Sequence, residues 1–223
     1  MPPKLIAPLL VGLPNTGDLG VLIRSHTLAN GLTFEIRRGR ILRFRCQGIV
    51  IATDQIMTYN MEGPRRTRRR FRRRGGAVLA AAIAASVGPG GAYRLGFQEA
   101  RVFPSGGISS CRRIICVATP VRAPPPVTPQ QNRTWLRSNY QFAMEEVWYA
   151  GCTSVAIPIM GSNTLGYGFE TVAAFGIRAV EDWFYAALSW NKLNQFRTVV
   201  FFIEDEPNST PVLRENAAIR AFE

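Results

Sequence analysis

The chain has 223 residues, of which 47% are hydrophobic and 19% charged, and its formal net charge is +12. That length is enough for one full domain with a buried core, and the composition excludes a disordered or low-complexity chain. No run of about 18 uninterrupted apolar residues occurs, so no membrane-spanning helix is expected.

The excess charge is concentrated. Eight of the 27 basic residues are Arg65, Arg66, Arg68, Arg69, Arg70, Arg72, Arg73 and Arg74, so one short block supplies two thirds of the net charge. A basic run of this density is the usual mark of a nuclear-localisation signal or a nucleic-acid patch, and Phe71 within it offers a stacking platform for a base. The four cysteines form no CxxC pair, and His26 is the only histidine, so neither a zinc centre nor a Cys–His or Ser–His–Asp site is expected. Cys46, Cys116 and Cys152 lie in or beside apolar runs and are expected as buried, reduced thiols.

In chain order, residues 1–18 are rich in Pro and Gly and are expected as an extended segment ahead of one domain over 19–223. The apolar part of that segment is short and interrupted by Pro8 and Pro14, so no signal peptide is expected. Residues 19–23 and 32–36 are expected as strands, with Asn30 and Gly31 marking the turn between them. Residues 41–44 lead as a short element into a strand over 48–52, which is apolar on both faces and so suits a central place in a covered sheet. A long basic loop carrying the arginine block is expected next, inserted at about 60–74. Gly75 and Gly76 then form a turn that feeds an alanine-rich helix over 77–87, stopped by Gly88 and Pro89. A glycine turn at a helix N-terminus is a phosphate cradle, because free backbone N–H groups and the helix dipole both favour an anion.

Residues 113–118 read as a further apolar strand, and the proline-rich stretch 120–129 as a stiff linker. An amphipathic helix is expected over 131–150, with Trp135, Leu136, Tyr140, Ala143 and Val147 on one stripe and Gly151 as its stop. A strand over 154–159 and a loop over 161–168 follow. A second helix over 170–190 directs Val172, Phe175, Ala179, Val180, Trp183 and Leu188 inward. The last elements are a strand over 198–203 and a helix whose N-cap is Thr210 and whose first residue is Pro211. Strand and helix alternate from residue 48 onward, which calls for a helix-covered, largely parallel sheet with an antiparallel edge from the N-terminal strands. In such sheets ligands bind at the carboxyl ends of the strands, so the loops after Ala52 and Ile159 are the candidates.

The order of these motifs resembles the macro domain, the ADP-ribose-binding module. Gly39-Arg40-Ile41 and Ile49-Val50-Ile51-Ala52-Thr53-Asp54 stand where the family has its "GDI" and "IVNAAN" patterns. Gly75-Gly76-Ala77-Val78 is similar to the glycine-rich first binding loop, and Gly161-Ser162-Asn163-Thr164-Leu165-Gly166 to the second. Glu99-Ala100, Ile114 to Pro120 and Val199 to Glu206 match further family segments, so the resemblance covers nearly the whole chain.

The resemblance implies an α/β, three-layer α/β/α macro-like fold with a mixed, largely parallel central sheet. It implies a binding module for ADP-ribose, a related nucleotide or poly-ADP-ribose. The implied ligand-binding residues are Asp54, Gly75, Gly76, Ala77, Val78, Gly161, Ser162, Asn163, Thr164, Leu165 and Gly166. Several family positions are changed. Arg40 replaces a carboxylate that accepts from the adenine amino group, and a guanidinium only donates. Ile51 stands for the first Asn of the family pair and Asp54 for the second, which contacts the distal ribose. The aromatic of the second loop becomes Leu165 or shifts to Tyr167, and the hydrolase-type Asp has no acidic match at Leu79 or Ala80. No catalytic residue, cofactor or metal is therefore expected; the activity that the resemblance would otherwise imply is ADP-ribosyl hydrolysis. The alternative expectation is a nucleic-acid-binding or nuclear protein that uses the eight arginines on RNA, DNA or poly-ADP-ribose, with the fold as scaffold. Either version is expected in the nucleus or cytoplasm, not secreted and without a membrane partner.

Overall fold

The computed structural model describes residues 20–53, 57, 65–86, 95–96, 99–119, 128–161, 168–187, 195–204 and 211–222. In chain order the elements are β1 (Val21–Thr27), β2 (Thr33–Gly39), a 3-10 turn (Ile41–Arg43), β3 (Gly48–Thr53), α1 (Arg65–Ala85) and β4 (Ala100–Pro104). They continue with β5 (Arg113–Ala118), α2 (Pro129–Tyr149), β6 (Ser154–Pro158), α3 (Phe169–Ala187), β7 (Thr198–Glu204) and α4 (Pro211–Phe222). The expected segment 1–18, most of the proline-rich linker, Gly88, Pro89, Leu188 and Thr210 lie outside the described residues.

The strands form one sheet in the order β1-β2-β7-β6-β3-β5-β4. The five inner strands are parallel, and β1 and β4 close the two edges antiparallel. The mixed, largely parallel α/β/α architecture expected from the sequence is the one observed. Two details differ. β2 joins the parallel set beside β7, so of the two N-terminal strands β1 alone is antiparallel. β4 is an additional strand: its Arg101 and terminal Pro104 hide the apolar period, as suits an edge.

Alternation along the strands divides the core in two. Val50, Ala52, Ile115, Val117, Val155 and Ile157 meet the inner residues of α2, α3 and α4. On the other face Ile49, Ile51, Ile114 and Cys116 share a cluster with Phe71, Leu79 and Ile83 of α1 and with the 3-10 turn. Of the expected inner stripe of α2, Leu136, Tyr140, Ala143 and Val147 are fully buried, while Trp135 is half-buried at the margin. A capping box starts that helix, with Thr128 Oγ1 accepting from the Gln131 N–H at 3.1 Å and Gln131 Oε1 accepting from the Thr128 N–H at 2.8 Å.

The arginine block is not a loop. Residues 65–75 are helical, and Gly76, at φ +62° and ψ −164°, interrupts α1 before it resumes over 77–85. Glycine with positive φ is the ordinary stop of a helix, so the glycine pair ends the arginine helix and does not simply open the alanine-rich one. Phe71 is 1% exposed, which removes it as a stacking platform. The signal was present in the spacing: Thr67, Phe71 and Gly75, the positions in the run that are not arginine, stand four apart on one helical face.

At the amino ends of the parallel strands, Gln47 joins three segments. Its N–H reaches Ser154 O at 3.2 Å, its carbonyl accepts from the Arg112 and Arg113 N–H groups at 3.0 Å each, and its Oε1 accepts from the Thr153 N–H at 2.7 Å. All four cysteines are free thiols. Burial pushes Cys111 and Cys116 up to about 12 and Cys152 up to about 11, so they are protonated and unreactive at neutral pH.

Backbone contact at this end leaves no room for a side chain. A Cβ on Gly106, which has φ +60°, would stand 2.1 Å from Gly75 O, whereas one on Gly31, at φ +84°, meets nothing within 4 Å. Gly31→Ala should cost about 1 kcal/mol for its backbone conformation alone. Gly106→Ala should add an overpacking cost of about 1–3 kcal/mol, and the difference is measured by urea unfolding of both variants.

Candidate functional site

The topology places one opening. From β3 the chain leaves toward β4 and β5 on one side of the sheet, while from β6 it leaves toward α3 and β7 on the other. β3 and β6 are neighbours, with Gly48 opposite Val155 and Ile49 opposite Ala156. Loops that depart in opposite directions from adjacent parallel strands leave a crevice at their carboxyl ends.

Each side of the crevice has a defined support. The Thr119 N–H donates to Thr53 O at 3.0 Å and fixes the end of β5 against the end of β3. Thr119 is buried, yet its Oγ1 has no hydrogen-bond partner, which leaves a free hydroxyl beside the loop after β3. In that loop Met57 is buried at φ 51°, a left-handed conformation that is uncommon outside glycine. Across the crevice, the Ile159 N–H donates to Phe202 O at 3.2 Å, and the fully buried Tyr140 hydroxyl accepts from the Met160 N–H at 2.7 Å. Gly176 of α3 lies so close that a Cβ there would stand 2.4 Å from the Tyr140 ring. Tyr140 therefore ties α2, α3 and the first residues of the second loop into one support. Gly161, buried at φ +93°, makes the backbone turn that follows.

The sequence-predicted residues are distributed unevenly over this frame. Gly161 stands at the crevice; Asp54, Ser162, Asn163, Thr164, Leu165 and Gly166 lie outside the described residues. Arg40 follows β2 at the same end of the sheet and has no side-chain cap role in the 3-10 turn it precedes. Gly75, Gly76, Ala77 and Val78 are not brought together with Gly161. Gly75 O accepts from the Gly107 N–H at 3.1 Å, and Gly107 lies in the turn from Pro104 of β4 to Arg113 of β5. That turn is at the amino ends of the parallel strands, a strand's length of about 17–20 Å from the crevice. Gly76, Ala77 and Val78 are exposed there, and Val78 is 62% exposed. The cradle expected at the glycine pair is thus replaced by a helix break at the opposite end of the sheet.

Arg73 and Arg74 are exposed, and Arg65, Arg66, Arg68, Arg69, Arg70 and Arg72 share their helix. Among the described residues the carboxyl groups raised above their ordinary range are Glu146 and Glu181. Burial is the main cause in both, helped by the neighbouring Glu145 and Asp182. Both stand in the last two turns of their helices rather than at the crevice, and the described cysteine thiols are buried in the core. No group of described His, Cys, Asp or Glu residues is placed to hold a metal ion, and no described helix is long and apolar enough to cross a membrane.

A profile of the Macro domain family matches residues 59–175, just over half of the chain. No curated protein sequence matches the chain. Among solved structures, the Oceanobacillus iheyensis macrodomain with ADP is similar with a TM-score of 0.67 at 16% identity, covering 89% of this chain and 94% of that one. The macro domain of ganglioside induced differentiation associated protein 2 is similar with a TM-score of 0.67 at 16% identity, over 87% and 85% of the two chains. The Trypanosoma brucei macrodomain in complex with ADP-ribose gives a TM-score of 0.58 at 12% identity, over 85% and 69%.

Tyr140→Phe removes the hydroxyl that accepts from the buried Met160 N–H while keeping the ring that Gly176 packs on. It should cost about 1–3 kcal/mol of stability, and native-state hydrogen exchange should be faster at the Met160 amide than at the sheet amides.

Proposed function

The chain belongs to the macro domain family, and from that premise we propose that it binds ADP-ribose or a related nucleoside diphosphate in the crevice between the carboxyl ends of β3 and β6, without hydrolysing it. The observation that carries this reading is the divergence of the two chains leaving those adjacent strands. Gly161, at φ +93°, begins a loop of small residues, Ser162 to Gly166, whose backbone N–H groups suit a diphosphate. The structures similar in fold include macrodomains with ADP and with ADP-ribose. Asp54, directly after β3, supplies an acceptor for a ribose hydroxyl, and the free Thr119 Oγ1 stands on the same side.

The absence of hydrolysis is part of the proposal and rests on residue chemistry. Ile51, in place of an asparagine, is buried in the α1-side core, and Leu79, near the expected acid position, packs against Gly75 and Gly106 at the far end of the sheet. Neither side chain can move a proton. Arg40, in place of a carboxylate, gives the ligand a donor where an adenine amino group needs an acceptor, so recognition of the base is weakened and a phosphate contact is favoured.

Titration calorimetry with ADP-ribose should give one binding event per chain. Gly161→Val, which forces a β-branched residue into a positive-φ position, should weaken it at least tenfold, about 1.4 kcal/mol. No release of ADP-ribose from a modified substrate should accompany binding. Folded protein that gives no heat at millimolar ADP-ribose would overturn the reading.

A further inference from the structure

We propose that the amino end of the sheet, opposite the crevice, is a docking surface for a nucleic-acid backbone, assembled from arginines of three chain segments and not from the arginine helix alone. The segments are held together by specific bonds. Leu42 O accepts from Arg74 Nη1 at 3.4 Å and from Ser110 Oγ at 2.8 Å. The Gly107 N–H donates to Gly75 O, the Cys46 N–H donates to Ser110 O at 3.1 Å, and the Arg112 and Arg113 N–H groups share Gln47 O. The end of the arginine helix, the connection into β3 and the turn into β5 therefore lie side by side.

Each segment brings cations. Arg73 and Arg74 are exposed on the helix, and Arg112 and Arg113 are exposed on the turn. Arg45, half-buried in the connection, adds a further guanidinium charge beneath this surface, although its Nη1 is itself shielded from solvent. The positive field reaches inward, where Arg113 and Arg112 favour the charged form of Cys152 against its burial. The segments that carry these charges hold no acid of their own: residues 36–53, 63–98 and 100–144 contain no Asp or Glu. Cations supplied by three segments, with no acid among them, match a repeating anion better than a single phosphate.

The chemistry narrows the partner further. Phe71, the one aromatic in the arginine run, is buried and cannot stack on a base, so binding should follow the phosphate backbone and tolerate any sequence. Among the described exposed large hydrophobic side chains, Val78 is the one on the arginine-bearing segments, whereas Tyr149 and Tyr185 stand in the last turns of α2 and α3 on the other face of the sheet, so the arginines carry too little apolar surface of their own for insertion into a lipid headgroup layer. The surface and the crevice occupy opposite ends of the strands, so both can be filled at once.

Fluorescence anisotropy with a labelled oligouridylate over a series of salt concentrations tests this. The slope of log K against log salt should fall by roughly 1.4 in Arg112→Ala/Arg113→Ala, about 0.7 per lost phosphate contact, although all eight arginines of the helix remain. Arg73→Ala/Arg74→Ala should lower it by a similar amount, and Arg112→Lys/Arg113→Lys should leave it unchanged. Saturating ADP-ribose should not displace the oligonucleotide, and a chain with Gly161→Val should bind the oligonucleotide as the natural chain does; these two arms separate this proposal from the crevice reading. The proposal is overturned by an unaltered slope in Arg112→Ala/Arg113→Ala of native circular dichroism. Should that variant not fold, an unaltered slope in Arg73→Ala/Arg74→Ala overturns it equally. Displacement by ADP-ribose, or binding to acidic-lipid vesicles without binding to oligouridylate, would also overturn it.

Discussion

The contact between Gly75 and the Gly106–Gly107 turn decides how this protein is arranged. Two backbones meet there at a separation that admits no Cβ on Gly106, and the Gly107 N–H closes the contact on Gly75 O. Because the turn belongs to the amino ends of the strands, the contact fixes where the arginine helix stops. The helix must descend from the β3 side of the crevice to this point, and its eleven residues cover about 16 Å of that distance. Phe71, one turn before the contact, is thereby directed into the α1-side core, while Arg73 and Arg74 are left on the outside. A glycine pair that resembles a ligand loop in sequence thus works as the hinge point of a charged layer.

The other end of the sheet is built on a different logic. Its supports are hydrogen bonds made by fully buried groups, above all the Tyr140 hydroxyl under the Met160 N–H, and they hold the roots of loops rather than their tips. Among the described residues three side chains have buried polar atoms without partners: Asn139 in α2, and Thr119 Oγ1 at the end of β5 and Arg45 Nη1 in the connection into β3, the last two at opposite ends of the strands. A rigid sheet separates them. The two ends of the sheet are therefore built from different materials, backbone-supported loop roots at one and exposed guanidinium groups at the other.

Much of this was legible in the sequence where burial dictated the residues. The apolar runs that became β3, β5, β6 and β7 were found within a residue or two, as were the Asn30–Gly31 turn and the Gly151 stop of α2. Two features were hidden for physical reasons. β4 carries Arg101 and Pro104 because an edge strand needs no continuous apolar pattern, and its Arg101 pairs with Glu99 at 2.5 Å instead of facing a core. The arginine helix is hidden in the sequence because its described buried positions are only Phe71 and Gly75, two different residue types in a field of one charge. Glycine compounded the difficulty: the same pair can begin a helix or end one, and only the sign of φ at Gly76 distinguishes the two. At the crevice the order of motifs identified the right strands, whereas the support from Tyr140 and Gly176 comes from positions that look like ordinary core in sequence.

The acid-free arginine helix has a consequence for the protein's own cohesion. Its sequence sets five pairs of arginines four residues apart, from Arg65 and Arg69 to Arg70 and Arg74, with no carboxylate between Glu62 and Glu99 to intervene. Like charges at that spacing oppose a helix by about 0.2–0.5 kcal/mol per pair, so together they offset much of the roughly 1.5–3 kcal/mol contributed by burying Phe71. The repulsion loosens the hold of this helix, and counterions moderate it: with a Debye length of about 10 Å at 0.1 M, dissolved ions screen the repulsion from one turn to the next. Added salt, which would weaken the polyanion contact proposed for these arginines, would at the same time steady the helix bearing them.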